Sequence, residues 1–357
     1  LQLVGLAIAG YFPPLVNYLP NRAYLTSDNA PPPINPKLQR CIEELTFPFY
    51  AEEERAIRGG VDSISKVNVE YLPEKYKKAL NASQQQVLAT FDLVEAVHQS
   101  DIQLKEFISG YEDLHHQVRR TESEIRKIDN DIYKLKQRKM LLERNEEDFD
   151  PLIMNQIKES IKTFKGIKDE LEKSIPSQWE SERGKFEKLS KDSRSARQKY
   201  RRNSDSAYEP LIQISTILKQ TPKLIEMESQ LKSLQSVIEE EQPETAMKRI
   251  KEIESSLGNI AGSSPIKSKF SKARRALKGK NPNSEKALKQ WQNGMTIYFQ
   301  EMEWRQRALK ELHEPLANYE LLLRDSIGLR LQKKLNLDQA KAVSVCKSSH
   351  EDISLFF

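Results

Sequence analysis

LKEFISGYEDLHHQVRRTESEIRKIDNDIYKLKQRKMLL, residues 104–142, decides the fold. Set in heptads, its a positions are Leu104, Tyr111, Val118, Ile125, Ile132 and Lys139, and its d positions are Phe107, Leu114, Thr121, Ile128, Leu135 and Leu142. Ten of these twelve are apolar, while the residues between them are mostly charged or amide side chains. Apolar groups recurring at alternate steps of three and four fall on one stripe of an α-helix. Sustained over nearly six heptads, that pattern predicts a coiled coil. The helix is expected to run from about Ser83 to Asp148, roughly 100 Å at the usual rise per residue.

Outward from this helix, Asp150-Pro151 marks a break and a restart, with Asp150 as the cap and Pro151 at the first helical position. Ile157, Ile161, Phe164, Leu171 and Ile175 then keep helical spacing. Pro176 interrupts them, and Ser177 with Glu180 has the spacing of a capping box for a continuation to about Tyr200. Two long helices joined by a short turn predict an antiparallel hairpin. Further on, Thr221-Pro222, Gln242-Pro243 and Ser264-Pro265 read as three helix starts, with Gly258 and Gly279 as stops. From Asn283 a last seam runs Leu288, Trp291, Met295, Tyr298, Met302, Arg305, Leu309, Leu312, Leu316, Tyr319 and Leu323, with Pro315 expected to kink or end it. Arg305 and Lys139 interrupt otherwise apolar seams. Each is read either as a device that fixes register or as a long stem reaching out to water.

No segment alternates as a strand does, so the expected class is all-α: elongated coiled-coil hairpins with a smaller helical bundle. Composition agrees, with 38% hydrophobic residues and only 12 glycines in 357 residues. The segments expected are an apolar start at 1–21, a Pro-rich linker with short helices at 22–65, and the long hairpin at 66–203. A short-helix bundle at 204–282 and a C-terminal helix and tail at 283–357 follow. Within 22–65, helices are expected to break at Pro48 and to end at Gly59-Gly60.

The opening LQLVGLAIAGYF is almost wholly apolar, and Pro13-Pro14 is expected to end any helix there. Twelve helical residues span only about 18 Å, too short for a bilayer. The stretch is therefore expected to continue upstream as a signal peptide or membrane anchor, Ala7-Ile8-Ala9 having the small-x-small form of a cleavage site. A core or partner-binding helix is the alternative.

Little points to chemistry. No phosphate-binding glycine loop, nucleophile elbow or zinc spacing occurs, and His98, His115, His116, His313 and His350 lack the i, i+4 partners of a helical metal site. An enzyme, a cofactor, a metal and a small-molecule substrate are all unexpected. RSARQKYRRNS (Arg194, Arg197, Lys199, Arg201, Arg202) is placed at a helix end, where cations suit the dipole. PIKSKFSKARRALKGK carries Lys267, Lys269, Lys272, Arg274, Arg275, Lys278 and Lys280 without an acid, beside Ile266, Phe270, Ala273 and Leu277 on one face. Such a helix either packs on the bundle or meets an anionic membrane surface or acidic partner; nucleic acid fits less well. Cys41 and Cys346 either pair, in an oxidising compartment, or remain two thiols. Asn81-Ala82-Ser83 matches a glycosylation acceptor.

These features predict a structural or scaffolding protein of the cell envelope, membrane-anchored or exported, working through helix–helix contact with partners or with itself. A membrane-surface or membrane-shaping module using 265–280 is the alternative, and a cytoplasmic coiled-coil adaptor the second.

Overall fold

The computed structural model describes residues 13–144 and 150–349, and among these every regular element is helical. The chain is all-α. Most of the predicted apolar start and its cleavage tripeptide, the end of the first long helix, and His350 lie outside the described residues.

The α-helices are α1 (Pro13–Thr26), α2 (Gln39–Glu52), α3 (Glu54–Ser65), α4 (Glu74–Arg144), α5 (Pro151–Ser174) and α6 (Trp179–Glu226). Then come α7 (Glu228–Glu240), α8 (Pro243–Gly258), α9 (Ser264–Ala276), α10 (Ser284–Glu311), α11 (His313–Arg324) and α12 (Leu337–Ser349). The described residues form two compact units. Unit 1 takes those up to Val94 and those from Tyr200 onward, and unit 2 takes Glu95–Lys199. The described residues 204–349 thus belong to one unit, together with the N-terminal helices.

Unit 2 is a helical hairpin. Asp101 of α4 accepts from Ser193 at 2.8 Å and pairs with Arg197 of α6. Tyr111 stacks on Trp179 and Phe186, with ring centroids 5.9 and 5.1 Å away. Asp129 holds Lys168 of α5 at 2.7 Å. As α4 advances, its partners recede along the chain, which defines an antiparallel pair. Asp150 caps α5 as expected, accepting from the Leu152 N–H at 2.8 Å. The seam is thin: Tyr111, Val118 and Ile132 are buried, whereas Leu104, Leu114, Ile125, Ile128, Leu135 and Leu142 stay half-buried. Lys139 reaches outward to Glu143 at 3.4 Å, the behaviour of a long stem seeking water.

Unit 1 has deeper cores. One gathers Leu224, Leu231, Leu234, Ile250, Leu257, Ile266, Phe270, Leu277 and Tyr298 from α6 to α10. Another joins Leu25, Leu38, Cys41 and Ile42 to Leu329, Leu335, Ala340 and Val343. Here α12, which lies within the expected C-terminal tail, packs on α1 and α2.

Several expected breaks are absent. Pro13-Pro14 starts a helix, since proline costs nothing in a first turn, and the helix end expected there falls outside the described residues. That helix runs to Thr26, into the predicted spacer, because its Leu25 is buried in the second core. Pro48 lies inside α2, whose Cys41, Ile42 and Tyr50 are buried on both sides of it. Gly59-Gly60 lies inside α3: a Cβ at Gly60 would come within 2.4 Å of Leu322, so this glycine permits close helix approach. Pro222 sits inside α6, where Thr221 turns its hydroxyl back to the Ile217 carbonyl at 2.9 Å and caps nothing. The 313–324 segment does restart beside Pro315, after a break at Leu312.

Candidate functional site

The basic segment of α9 is the first candidate, and its apolar face is already taken. Ile266, Phe270, Ala273 and Leu277 are buried in the first core, so the helix packs on the bundle and offers lipid no hydrophobic face. Arg274 is also committed. Its Nε and Nη2 donate to the two oxygens of Glu254 at 2.9 and 3.2 Å, and this bidentate pair holds the guanidinium pKa above its ordinary value. Lys267 and Lys269 are half-buried, Lys267 lying over Gly258. Lys272, Arg275, Lys278 and Lys280 are exposed.

The structure adds cations that the sequence window missed. The backbone N–H of Asn283 donates to Ala276 at 2.9 Å, and Gly294 of α10 faces Phe270 and the stem of Lys269. The end of α9 therefore lies beside the start of α10, where Lys286 and Lys289 are exposed. From Ser255 to Gln300 the chain carries nine Lys and Arg and a single carboxylate, Glu285.

Cys41 and Cys346 form a disulfide, S–S 2.01 Å and Cα–Cα 5.6 Å, joining α2 to α12. Neighbouring Asn21 donates to Ser348 at 3.1 Å, so α1 is tied to the same helix.

Arg305 does not reach water. It is 0% exposed, donates from Nε and Nη2 to Glu301 Oε2 at 3.1 and 3.0 Å, and meets the Ala261 carbonyl at 3.2 Å. Trp304 Nε1 donates to the same oxygen at 3.1 Å. The chain turns at Gly262, φ +76°, to present that carbonyl. A second polar cluster explains part of the other basic run, which lies within α6 and not at a helix end. Arg201 pairs with buried Glu43, and Arg330 forks onto Asp205 at 2.9 and 3.0 Å. Tyr50 and Tyr200 share a hydrogen bond at 3.1 Å, and burial, reinforced by Tyr200, pushes the Tyr50 phenol well above its usual range.

The histidines are dispersed. His115 stacks among Tyr111 and Trp179 and accepts from Arg119 at 3.1 Å. Burial first, then Arg119 and His116, lower its pKa, against the opposing Glu122. His116 leans toward Glu112 at 3.7 Å, His98 is exposed, and His313 starts α11. Among the described residues no three His, Cys, Asp or Glu side chains converge on a metal-sized site. The acceptor sequence at Asn81 lies within α4, with the buried Ser83 hydroxyl donating to the Ala207 carbonyl. No described helix is long and apolar enough to cross a membrane. An open groove of about 500 Å³ between α7 and α10 is lined by Gln235, Glu239, Leu288, Trp291, Met295 and Phe299. Its indole N–H is spent on the Leu231 carbonyl at 2.8 Å, and Glu239 accepts from Gln235 at 3.1 Å.

Comparison of the chain with protein-family models, with curated proteins and with solved structures returned no match.

Proposed function

We propose that this chain is a non-enzymatic structural or scaffolding protein of the cell envelope, exported or membrane-tethered, that works by offering its unit 2 hairpin to the helices of partners. The observation that carries this reading is the apolar surface left on the hairpin. Tyr133 is 60% exposed, Leu141 66% and Leu152 74%, next to a seam that two helices only half cover. Two helices cannot enclose a heptad stripe from all sides, whereas added helices complete the cover, as in a four-helix bundle. The Cys41–Cys346 disulfide supports the compartment, because such bonds persist where the surroundings are oxidising.

Site-specific photo-crosslinkers at Tyr133 and Leu141 of the full chain, in its own cells, test the reading. Cross-links to helical segments of a second protein or a second copy are expected, together with their loss in a Leu152→Glu background. Labelling no stronger than at the exposed control position Lys158 would overturn it.

A further inference from the structure

We infer that the α9–α10 hairpin is a peripheral docking surface for the phosphates of an anionic lipid membrane, bound by charge without insertion. This goes beyond the scaffolding reading and does not depend on it.

The argument begins with what is left over after internal pairing. Of the seven cations read from the sequence, Arg274 is neutralised by Glu254. Lys272, Arg275, Lys278 and Lys280 remain exposed, and the turn to α10 sets Lys286 beside them. Elsewhere in the molecule exposed cations commonly find a carboxylate three or four residues away, as Arg58 does with Glu54 and Arg307 with Glu311. Here the sequence withholds such partners: the sole carboxylate of the run, Glu285, sits in the first turn of α10. There its charge is matched locally by the positive end of the α10 dipole.

Geometry then selects the mode of contact. The cations ring the end of a helical hairpin, where Asn281, Pro282 and Asn283 are exposed and no large apolar side chain is. Ile266, Phe270, Ala273 and Leu277 are held in the core, so this end of the hairpin offers a bilayer no large apolar side chain. Binding of this kind rests on headgroup charge and decays over a Debye length, about 8 Å at physiological salt. Nucleic acid fits less well: the one aromatic of α9, Phe270, is 0% exposed and cannot stack on a base. The disulfide favours an oxidising compartment, away from the cytosol and nucleus where nucleic acid is concentrated.

The test uses the full chain and unilamellar vesicles of phosphatidylcholine, with or without phosphatidylglycerol. Co-sedimentation is expected only with phosphatidylglycerol, falling steeply between about 0.05 M and about 0.5 M salt. Combined Lys272→Glu, Arg275→Glu, Lys278→Glu and Lys280→Glu lowers the partition coefficient by at least about tenfold. Four reversals on the exposed residues of α5, Lys158, Lys162, Lys165 and Lys173, change net charge equally and leave binding within about twofold. Circular dichroism of both variants checks folding, and the four-fold Gln replacement on α9 serves if the Glu variant unfolds. Equal loss with both sets of reversals, no preference for phosphatidylglycerol, or salt-sensitive binding to duplex DNA but not to vesicles, would each overturn the inference.

Discussion

Arg305 sits in an apolar seam, fully buried, and its removal should couple strongly to that of Glu301. Glu301 Oε2 accepts from Arg305 Nε, Arg305 Nη2 and Trp304 Nε1, at 3.1, 3.0 and 3.1 Å. Arg305→Met strips two of these donors and leaves a carboxylate in the core; Glu301→Gln leaves a guanidinium there without its counter-charge. Removing one partner of a buried pair typically costs about 3–5 kcal/mol, because the survivor stays desolvated and uncompensated. The double variant buries no charge, and its Gln amide oxygen still accepts from Trp304. Its expected cost is about 1–2 kcal/mol, so the coupling should reach several kcal/mol. Gly262→Ala supplies a third arm. Its Cβ would meet Arg305 Nη2 at 2.6 Å, and its φ of +76° strains any L-residue by about 1–2 kcal/mol. Urea unfolding followed by tryptophan emission in a Trp179→Phe background reads unit 1 alone, since Trp291 and Trp304 both lie there. Single variants costing under about 1 kcal/mol, or a double variant equal to their sum, would mean that the pair is solvated, and the argument would fail.

Cys346→Ser should lower the stability of unit 1 markedly: a cross-link spanning 305 residues is worth up to about 5 kcal/mol in the chain-entropy model, and midpoint shifts with and without reductant measure it. Gly328→Ala should cost about 1–3 kcal/mol by overpacking, as its Cβ would fall 2.4–2.7 Å from ring atoms of Tyr208, which is buried and tied to Glu320. His115 has a lowered pKa in the fold, so its contribution is complete above the ordinary value of about 6.5 and is lost as pH falls through the folded value. The unit 2 melting temperature should therefore drop between pH 7 and pH 5 in the parent and less so in His115→Gln; equal drops would remove His115 as the cause. Amide exchange should be faster along 120–144 than along 210–218, because half-buried seams open at lower free energy than cores; the reverse order would contradict the thin-seam description.

The helices were legible in the sequence wherever period alone decides, and the breaks only in part: Asp150-Pro151, Gln242-Pro243 and Ser264-Pro265 do start helices. Leu104 to Leu142 reads as one stripe because 3.6 residues make a turn, whatever the partner is. Proline and glycine are punctuation only where no neighbour compensates. Pro48 and Pro222 lie inside helices because burial on either side outweighs one missing hydrogen bond, and Gly60 serves contact with Leu322. Arg305 looked like a stem bound for water because its neutraliser, Glu301, is one helical turn back and its carbonyl partner lies across the Gly262 turn. Arg201 looked like a dipole cap because Glu43 is remote in sequence. The candidate surface suffered likewise: subtracting Arg274 required Glu254, and adding Lys286 required the turn that returns α10 along α9.

That subtraction bears on what net charge means for this molecule. The whole chain carries +5, a value that by itself invites no polyanion. Yet the run from Ser255 to Gln300 carries +8, so the rest of the chain is net −3. Over a Debye length of about 8 Å an approaching surface responds to the charges it meets and hardly at all to those beyond. The distant acids that balance the total cannot screen Lys272, Arg275, Lys278 and Lys280; of the nearby acids, Glu254 is occupied by Arg274 and Glu285 is a single charge against four. The partner class is therefore set by a local excess that survives internal pairing. Releasing Arg274 by Glu254→Gln should strengthen anionic-vesicle binding if Arg274 swings outward and leave it unchanged if the side chain stays packed; weakening would show that the Glu254 pair orders the cationic face.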